Sequence, residues 1–235
     1  MGRSHIRNRK GADPAGYGFA FDQLPRPLDP HALFHPAPDA NDPPLEVEIG
    51  SGKGAFLINE GRARPEVRLL GVERARRYWL YAADRLRRNA RTNARLLLAD
   101  ATEALTAFPA ASVGVLHVYF PDPWPKRRHA HRRLLLQPAF LTAAERCLAS
   151  GGTIRIVTDN LPYFEAAASI LETRKALRRC PYVPPLSARP GELVGSNFER
   201  KYRLEGREIR AAAFRRRSAD EDNVLAREQD RRKAE

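Results

Sequence analysis

The sequence contains little of what marks secreted, metal-bound or membrane proteins. Its only cysteines, Cys147 and Cys180, are isolated and lack metal-ligand spacing, so we expect two ordinary thiols in a reducing compartment. Apolar stretches end after about six residues, whereas a membrane-spanning helix needs about 20. No hydrophobic segment follows the basic N-terminus, so we expect no signal peptide. We therefore expect a cytoplasmic protein with no membrane or metal partner.

Acidic residues are scarce relative to basic ones. Asp and Glu total 28 against 41 Lys and Arg, which gives a formal net charge of +13. Five cations fall within eight residues: Lys126, Arg127, Arg128, Arg132 and Arg133. More basic residues lie within 200–217 and near the N-terminus. A polyanion such as nucleic acid is the natural partner. An arginine-rich solvated surface is the alternative.

The chain divides by composition into three parts. Residues 1–43 are basic and rich in proline and glycine, which predicts an extended, partly mobile arm. Residues 218–235 are almost wholly polar, which predicts a frayed or disordered tail. Residues 44–217 alternate strand and helix signals and form one predicted domain. Strands are expected at 45–49, 67–72, 96–99, 113–120 and 153–158, and helices at 54–62, at 76–91, from Pro138 to Gly151 and after Asn160.

This alternation predicts an α/β fold. Right-handed strand–helix–strand units give a doubly wound, mainly parallel sheet with helices on both faces. Ligands of such sheets bind at the carboxyl ends of the strands. The loops that follow the strands are therefore the places to search for a site.

The loop after the first strand reads Glu48-Ile49-Gly50-Ser51-Gly52-Lys53-Gly54. It is not a P-loop, because Val47 stands where that motif needs glycine and Gly54 stands where it needs Ser or Thr. It superficially fits a dinucleotide-binding turn, with Glu73 about 20 residues further on. Glu48 opposes this interpretation, since a carboxylate at the mouth of the turn repels a pyrophosphate. A glycine turn that only packs a helix against the sheet is a further alternative.

Glu48 suits a ligand that brings positive charge and no phosphate. S-adenosyl-L-methionine is such a ligand, because it carries a sulfonium and an ammonium group. The pattern acid-x-Gly-x-Gly-x-Gly resembles the first motif of Rossmann-like methyltransferases. Glu73 is then placed to bind the ribose hydroxyls. Asp100, at the end of the third strand, is either a ligand of the adenine region or a helix N-cap.

A proline-rich segment follows the fourth strand: Tyr119-Phe120-Pro121-Asp122-Pro123-Trp124-Pro125-Lys126. Its prolines restrict φ and remove backbone donors, so we expect them to hold Asp122 in a fixed geometry. The basic residues after it can bind phosphates. A buried loop with a core tryptophan is the ordinary interpretation of such a turn. Here the cations coincide with the sheet edge, which favours a catalytic segment.

The segment Tyr119–Leu134 resembles the signature segment of the bacterial tRNA (guanine-N7-)-methyltransferases. Two further segments agree in order and spacing: Thr158-Asp159-Asn160 with Tyr163-Phe164-Glu165, and Ser196-Asn197-Phe198-Glu199-Arg200-Lys201. The resemblance covers residues 45–214. It departs from the family pattern at His131, where lysine is usual, and at Ser196, where threonine is usual. Serine keeps the hydroxyl group of threonine.

The resemblance implies transfer of a methyl group from S-adenosyl-L-methionine to N7 of a guanosine, in the variable loop of tRNA for most members. It implies that Asp122 is catalytic. It places the cofactor at Glu48, Gly50, Gly52, Glu73, Asp100 and Asp122, and the tRNA at Lys126, Asp159, Ser196 and Glu199. It also implies a monomer or a homodimer. Because N7 carries a lone pair and no proton, alignment and electrostatics should set the rate without a general base.

Other polar residues have ordinary structural interpretations. We expect Glu60 and Asp84 to be helix-surface charges, and His117 to be a core histidine with hydrogen-bond partners. His129 and His131 have no evident third ligand, so no metal site is predicted. The alternative functions are a methyltransferase with another RNA target and a noncatalytic RNA-binding protein on the same scaffold. An NAD-dependent oxidoreductase is disfavoured by Glu48 and by the positive charge.

Substitution of Arg127 and Arg128 by alanine tests the predicted phosphate contacts. Each phosphate contact releases counter-ions, so the double variant should bind tRNA more weakly and reduce the steepness of log affinity against log salt by about 2. Filter-binding titrations across a range of salt concentrations measure this dependence. An unchanged slope would show that both side chains face away from the RNA.

Overall fold

The chain folds around an eight-stranded sheet. A computed structural model describes residues 10–34, 44–123, 133–218 and 221. Its strands are β1 (Gly18–Ala20), β2 (Leu45–Ile49), β3 (Leu69–Glu73), β4 (Ala94–Leu98), β5 (Val113–Tyr119), β6 (Leu148–Thr158), β7 (Leu177–Cys180) and β8 (Arg210–Arg216). The order across the sheet is β1-β4-β3-β2-β5-β6-β8-β7. All neighbours from β1 to β6 pair in parallel, and β8 is antiparallel to β6 and β7.

Helices cover both faces of the sheet. They are α1 (Ala55–Ala63), α2 (Arg76–Arg88), α3 (Ala101–Ala107), α4 (Pro138–Cys147), α5 (Leu161–Thr173) and α6 (Asn197–Leu204). Helices α1 and α2 bury Phe56 and Trp79 on one face, whereas α3, α4 and α5 bury residues such as Phe140 on the other. The predicted doubly wound, mainly parallel α/β sheet is confirmed. Within the described part of the chain, no helix has the length and apolar character needed to cross a bilayer.

The strand order reverses beside β2, and this reversal creates a crevice. The chain passes from β2 through β3 to β4 on one side of the sheet and then returns to β5 on the other side of β2. The loops that leave β2 and β5 therefore diverge, which is the arrangement in which open α/β sheets bind ligands. Glu48 lies near the end of β2, and Asp122 lies just after β5. The topology thus brings both predicted acids to this crevice.

The five predicted strands correspond to β2 to β6. Strand β6 begins at Leu148, five residues earlier than the predicted start at Thr153. The sequence patterns do not predict β7, β8 or α6. Strand β7 is short and includes two exposed arginines, and β8 has arginines at both ends. Its antiparallel pairing with β6 and β7 stabilises it through long-range contacts that local patterns do not encode.

Part of the predicted N-terminal arm packs against the domain. Strand β1 pairs with β4, and the 3-10 helices Phe21–Gln23 and Pro30–Leu33 follow it. The buried Arg95 of β4 donates a 3.0 Å hydrogen bond from Nε to the carbonyl of Leu33. The buried apolar side chains of this part are Phe21, Leu28, Leu33 and Phe34. They are spaced irregularly among prolines, so no periodic pattern marks them. Residues 1–9, 35–43, 219–220 and 222–235 lie outside the described residues.

The prediction that Glu60 and Asp84 are surface charges is wrong. Their exposed fractions are 1% and 2%. Asp84 accepts hydrogen bonds from Arg87 and Arg88. Glu60 accepts the backbone N–H groups of Leu186 and Ser187 at 3.3 and 2.9 Å. The helical pattern around Glu60 gives no sign of this role, because its partners lie more than 120 residues away.

The prediction for His117 is confirmed. Its ring is 1% exposed, and Nε2 lies 2.8 Å from Oε2 of Glu46 while Nδ1 lies 2.7 Å from the hydroxyl of Tyr119. Burial lowers the pKa of His117 and favours the neutral ring. In the neutral form, Nε2–H donates to Glu46 and Nδ1 accepts from Tyr119. This buried histidine is therefore part of the core structure.

Glu60 gives a test of the loop that its carboxylate holds. Substitution by alanine leaves the N–H groups of Leu186 and Ser187 without their acceptor, so the free energy of unfolding should fall by about 3 kcal/mol. Glu66 is the matched control, because Arg64 lies 3.3 Å from Glu60 and 3.8 Å from Glu66, but the side chain of Glu66 is 59% exposed. Glu66→Ala should cost less than about 0.5 kcal/mol. Urea unfolding followed by circular dichroism measures both, and equal losses would contradict the assigned role.

Candidate active site

The loop between β2 and α1 is shaped by glycine. Gly50, Gly52 and Gly54 have φ values of 77°, 53° and 67°, which side chains other than glycine rarely adopt. The N–H groups of Gly50 and Ser51 donate to the carbonyl of Val72, which attaches the loop to β3. Gly54 precedes α1 and packs against α2, so a Cβ there would lie 3.0 Å from that of Ala82. The backbone is thus held close to the crevice.

Glu48 is a buried acid with one unused oxygen. It is 6% exposed, and no donor among the described residues reaches its Oε2. The pKa of Glu48 is raised to about 8, chiefly by burial; a hydrogen bond with Ser51 opposes the shift, and the negative charge of Glu73 adds to it. A cationic group placed at Oε2 would stabilise the ionised form. The site is therefore suited to a positively charged ligand.

Glu73 connects the glycine loop to the end of β3. Its Oε2 accepts the N–H of Gly52 at 2.8 Å, and its Oε1 accepts the N–H of Ala75 at 2.8 Å. Burial raises the pKa of Glu73, these backbone bonds oppose the shift, and the charge of Asp122 adds to it. Each oxygen keeps a lone pair for a further donor. These contacts fit the predicted binding of ribose hydroxyls.

Asp122 faces the same crevice. It is exposed, and it follows Phe120, which has a positive φ of 48° and donates its N–H to the carbonyl of Val157 at 2.7 Å. The charge of Glu73 raises the pKa of Glu48, and the charge of Asp122 raises the pKa of Glu73. The three side chains follow or end neighbouring strands at one edge of the sheet, so these effects place them near one another. We call this the acidic crevice, defined by Glu48, Glu73 and Asp122.

Of the five cations in the signature segment, Arg133 is the one among the described residues. Trp124, Lys126, Arg127 and Arg128 lie outside the described residues. Arg133, at the end of the basic cluster, donates from Nε to the carbonyl of Pro123 at 2.9 Å. This hydrogen bond attaches Arg133 to the proline-rich segment, a role that the sequence does not indicate.

Asp100 is an N-cap. Its Oδ1 accepts the N–H of Thr102 at 2.9 Å at the start of α3, and its Oδ2 lies 3.8 Å from Nη1 of Arg74. The helix-cap interpretation is thus confirmed. The carboxylate also follows β4 at the same sheet edge as Glu73, so a contact with the adenine region stays a prediction.

Asp159 lies between β6 and α5, and Ser196 lies directly before α6. Asp159 follows β6, and its Oδ2 forms a 2.8 Å ion pair with Nη1 of Arg207. Ser196 caps α6, where its Oγ accepts the N–H of Glu199 at 3.1 Å. Sequence reasoning missed Arg207, although it lies in the basic region 200–217. Its pairing with Asp159 crosses 48 residues and has no local signal.

Glu199 is fully buried and holds the loop before α6. Its carboxylate accepts the N–H groups of Leu193, Val194 and Gly195 at 2.6, 2.8 and 2.9 Å, and it also binds Arg203. Its exposed fraction is 0%. The predicted role in tRNA binding remains a prediction, and this geometry favours an indirect one through the loop.

Metal ligands are not grouped in the described parts of the chain. No set of three or more His, Cys, Asp or Glu residues among them is arranged to hold an ion. His129 and His131 lie outside these parts. The polar side chains that converge on the crevice are carboxylates.

Solved methyltransferases share the fold. The 16S rRNA methyltransferase KamB gives a TM-score of 0.54 at 17% identity, covering 74% of this chain and 88% of that chain. The antibiotic-resistance methyltransferase Kmr gives 0.51 at 17% identity, covering 77% and 90%. At these identities the likeness shows the fold alone, and the predicted Rossmann-like methyltransferase fold is confirmed.

Sequence relatives identify the family. Residues 42–212 match the family described as Putative methyltransferase. The tRNA (guanine-N(7)-)-methyltransferase of Rhodopirellula baltica is 36% identical and aligns with 84% of this chain and 73% of its own length. That of Rhodospirillum rubrum is 36% identical over 81% and 73%. S-adenosyl-L-methionine is accordingly the cofactor, and the unused oxygen of buried Glu48 fits its cationic groups. The chain belongs to the tRNA (guanine-N(7)-)-methyltransferase family.

Proposed function

We propose that this enzyme methylates N7 of a guanosine in the variable loop of tRNA, with Asp122 as its catalytic carboxylate. The observation that carries the proposal is the acidic crevice at the reversal of strand order. The variable loop is chosen because most members of the family that the signature segment resembles act there. The two free cysteines agree with a cytoplasmic enzyme.

The reaction needs charge stabilisation more than proton transfer. When bound, the cofactor would supply an electrophilic methyl group to the N7 lone pair, and its sulfur would keep the electrons of the C–S bond as a neutral thioether. No proton leaves N7, so no residue has to act as its base. The purine becomes cationic, and Asp122 stabilises that charge and accepts hydrogen bonds from the guanine edge.

The cofactor-binding residues have separate tasks in this proposal. Glu48 pairs with positive charge, and Glu73 binds the ribose hydroxyls with the lone pairs left by its backbone contacts. Gly50 and Gly52 let the backbone approach the ligand. Asp100 contacts the adenine region beyond its role as an N-cap.

The residues proposed to bind tRNA are Lys126, Asp159, Ser196 and Glu199. Lys126 binds phosphate, and Asp159 and Ser196 contact the target nucleotide. Glu199 acts through the loop that its carboxylate organises, since that carboxylate is fully buried. A guanosine must be exposed or flipped out of its stack to reach this site.

The test of the function is site mapping with Asp122→Ala beside the wild type. The wild type, given labelled cofactor and bulk tRNA, should produce 7-methylguanosine that borohydride-induced cleavage maps to the variable loop. Asp122→Ala should lower kcat at least about 100-fold because the developing charge loses its carboxylate. Its affinities for cofactor and tRNA should stay within about threefold of the wild type.

Two results would contradict this assignment. Cleavage at a position outside the variable loop would show that the enzyme methylates another guanosine. Wild-type turnover by Asp122→Ala would show that Asp122 is not catalytic. Asp122→Asn serves as the matched variant, because it keeps the size of the side chain and removes only the charge. It should be as impaired as alanine if charge is what matters.

Glu48 predicts a pH dependence of cofactor binding. Because its pKa is about 8 in the unliganded protein, a cationic ligand must displace a proton below that pH. Affinity should therefore rise by up to about tenfold per pH unit and level off above pH 8.

The same shift of the Glu48 pKa, from 4.5 to about 8, means that the unliganded protein loses stability as pH rises through this range.

Calorimetry of wild type and Glu48→Gln measures this dependence. Any titrating group of the cofactor affects both proteins equally. The difference between their curves of affinity against pH therefore reports the titration of Glu48. At pH 8.5 it should bind about 10- to 100-fold more weakly, because a charge-assisted contact is lost. A variant with the wild-type pH slope would show that Glu48 does not face the ligand's cation.

A further inference from the structure

Three aromatic rings meet where the proline-rich segment contacts α6. The ring centroids of Phe120 and Phe198 are 6.4 Å apart, those of Phe198 and Tyr202 are 6.1 Å apart, and those of Phe120 and Tyr202 are 5.6 Å apart. Tyr202 is only 7% exposed, whereas Phe198 is 51% exposed. One aromatic side chain of this group is therefore presented to solvent by two that support it.

Phe198 lies beside the catalytic segment. Its neighbour Phe120 precedes Asp122 by two residues and is fixed by its hydrogen bond to Val157. On the other side, Tyr202 packs 4.4 Å from the guanidinium of Arg207, which pairs with Asp159. Burial raises the pKa of Tyr202, and the charges of Asp159 and Asp122 both add to the shift. Phe198 thus stands on a helix whose Tyr202 is close enough to both carboxylates to be affected by their charges.

The helix that carries Phe198 is held firmly. Ser196 caps α6, and Glu199 binds three backbone N–H groups of the loop before it. Four large apolar side chains of the described residues are strongly exposed: Val183, Leu186, Phe198 and Leu204. Phe198 is the aromatic one of the four, and it is the one in contact with Phe120. An exposed ring on a firmly held helix, in contact with the residue two positions before Asp122, is suited to stacking.

We propose that Phe198 is the stacking surface for the purine that accepts the methyl group. This inference rests on the proposed function and adds the contact that positions the base. A flipped purine presents a π face, and aromatic side chains bind such faces with little dependence on sequence. After methylation the ring is cationic, and a cation is attracted to an aromatic face. The ring of Phe198 and the carboxylate of Asp122 then favour the same developing charge.

Four substitutions separate stacking from apolar packing. Phe198→Tyr and Phe198→Trp keep the aromatic face, whereas Phe198→Leu keeps apolar volume and loses the ring. Leu204→Ala is the matched control, because Leu204 lies on the same helix and is 90% exposed. The tyrosine and tryptophan variants and the control should stay within about threefold of wild-type kcat/KM for tRNA. Phe198→Leu should fall about 10- to 100-fold, with unchanged cofactor affinity.

A fluorescence measurement gives an answer independent of activity. The added emission of Phe198→Trp, relative to the wild type, should be quenched by tRNA in the presence of S-adenosylhomocysteine. Wild-type activity in Phe198→Leu, equal losses in the leucine and tyrosine variants, or absence of this quenching would overturn the proposal. The wild-type mapping is done first. If it yields no 7-methylguanosine, the proposed function fails, whereas success there with an active Phe198→Leu removes only the stacking role.

Discussion

The acidic crevice depends on the carboxylate of Glu48, which is buried with no positive partner among the described residues. Burying an ionised acid is unfavourable, and Glu48 responds with a pKa of about 8. The structure tolerates this because β2 is fixed on both sides by β3 and β5. A ligand with positive charge relieves the cost, and an anionic phosphate would increase it. The choice between a sulfonium cofactor and a dinucleotide thus follows from one side chain.

Two other buried carboxylates hold the long loop that precedes α6. Glu60 lies on α1, directly after the glycine loop, and binds Leu186 and Ser187. Glu199 binds the end of the same long loop, just before α6. A segment with little regular structure is therefore held at two points by backbone hydrogen bonds to acids. This arrangement fixes Ser196 and Phe198 relative to the acidic crevice.

The sequence predicts what short-range patterns encode. Strands β2 to β6 are rich in apolar residues, the glycine loop follows β2 and Asp122 lies three residues after β5, so fold and crevice could both be predicted. Strands β7 and β8, the burial of Glu60 and the pair of Asp159 with Arg207 could not. Each depends on partners more than 30 residues away, and polar residues buried by such contacts look like surface residues in a local window.

The molecule combines an overall positive charge with a locally negative crevice, and the two suit different parts of a tRNA. The chain carries a formal net charge of +13, which favours contact with a phosphate backbone, yet Glu48, Glu73 and Asp122 make the crevice acidic. A phosphate is repelled from the crevice, whereas a neutral purine can enter and is favoured further once it becomes cationic. The electrostatics therefore select which part of the nucleotide approaches the methyl group. Specificity for the base arises before any hydrogen bond to its edge is formed.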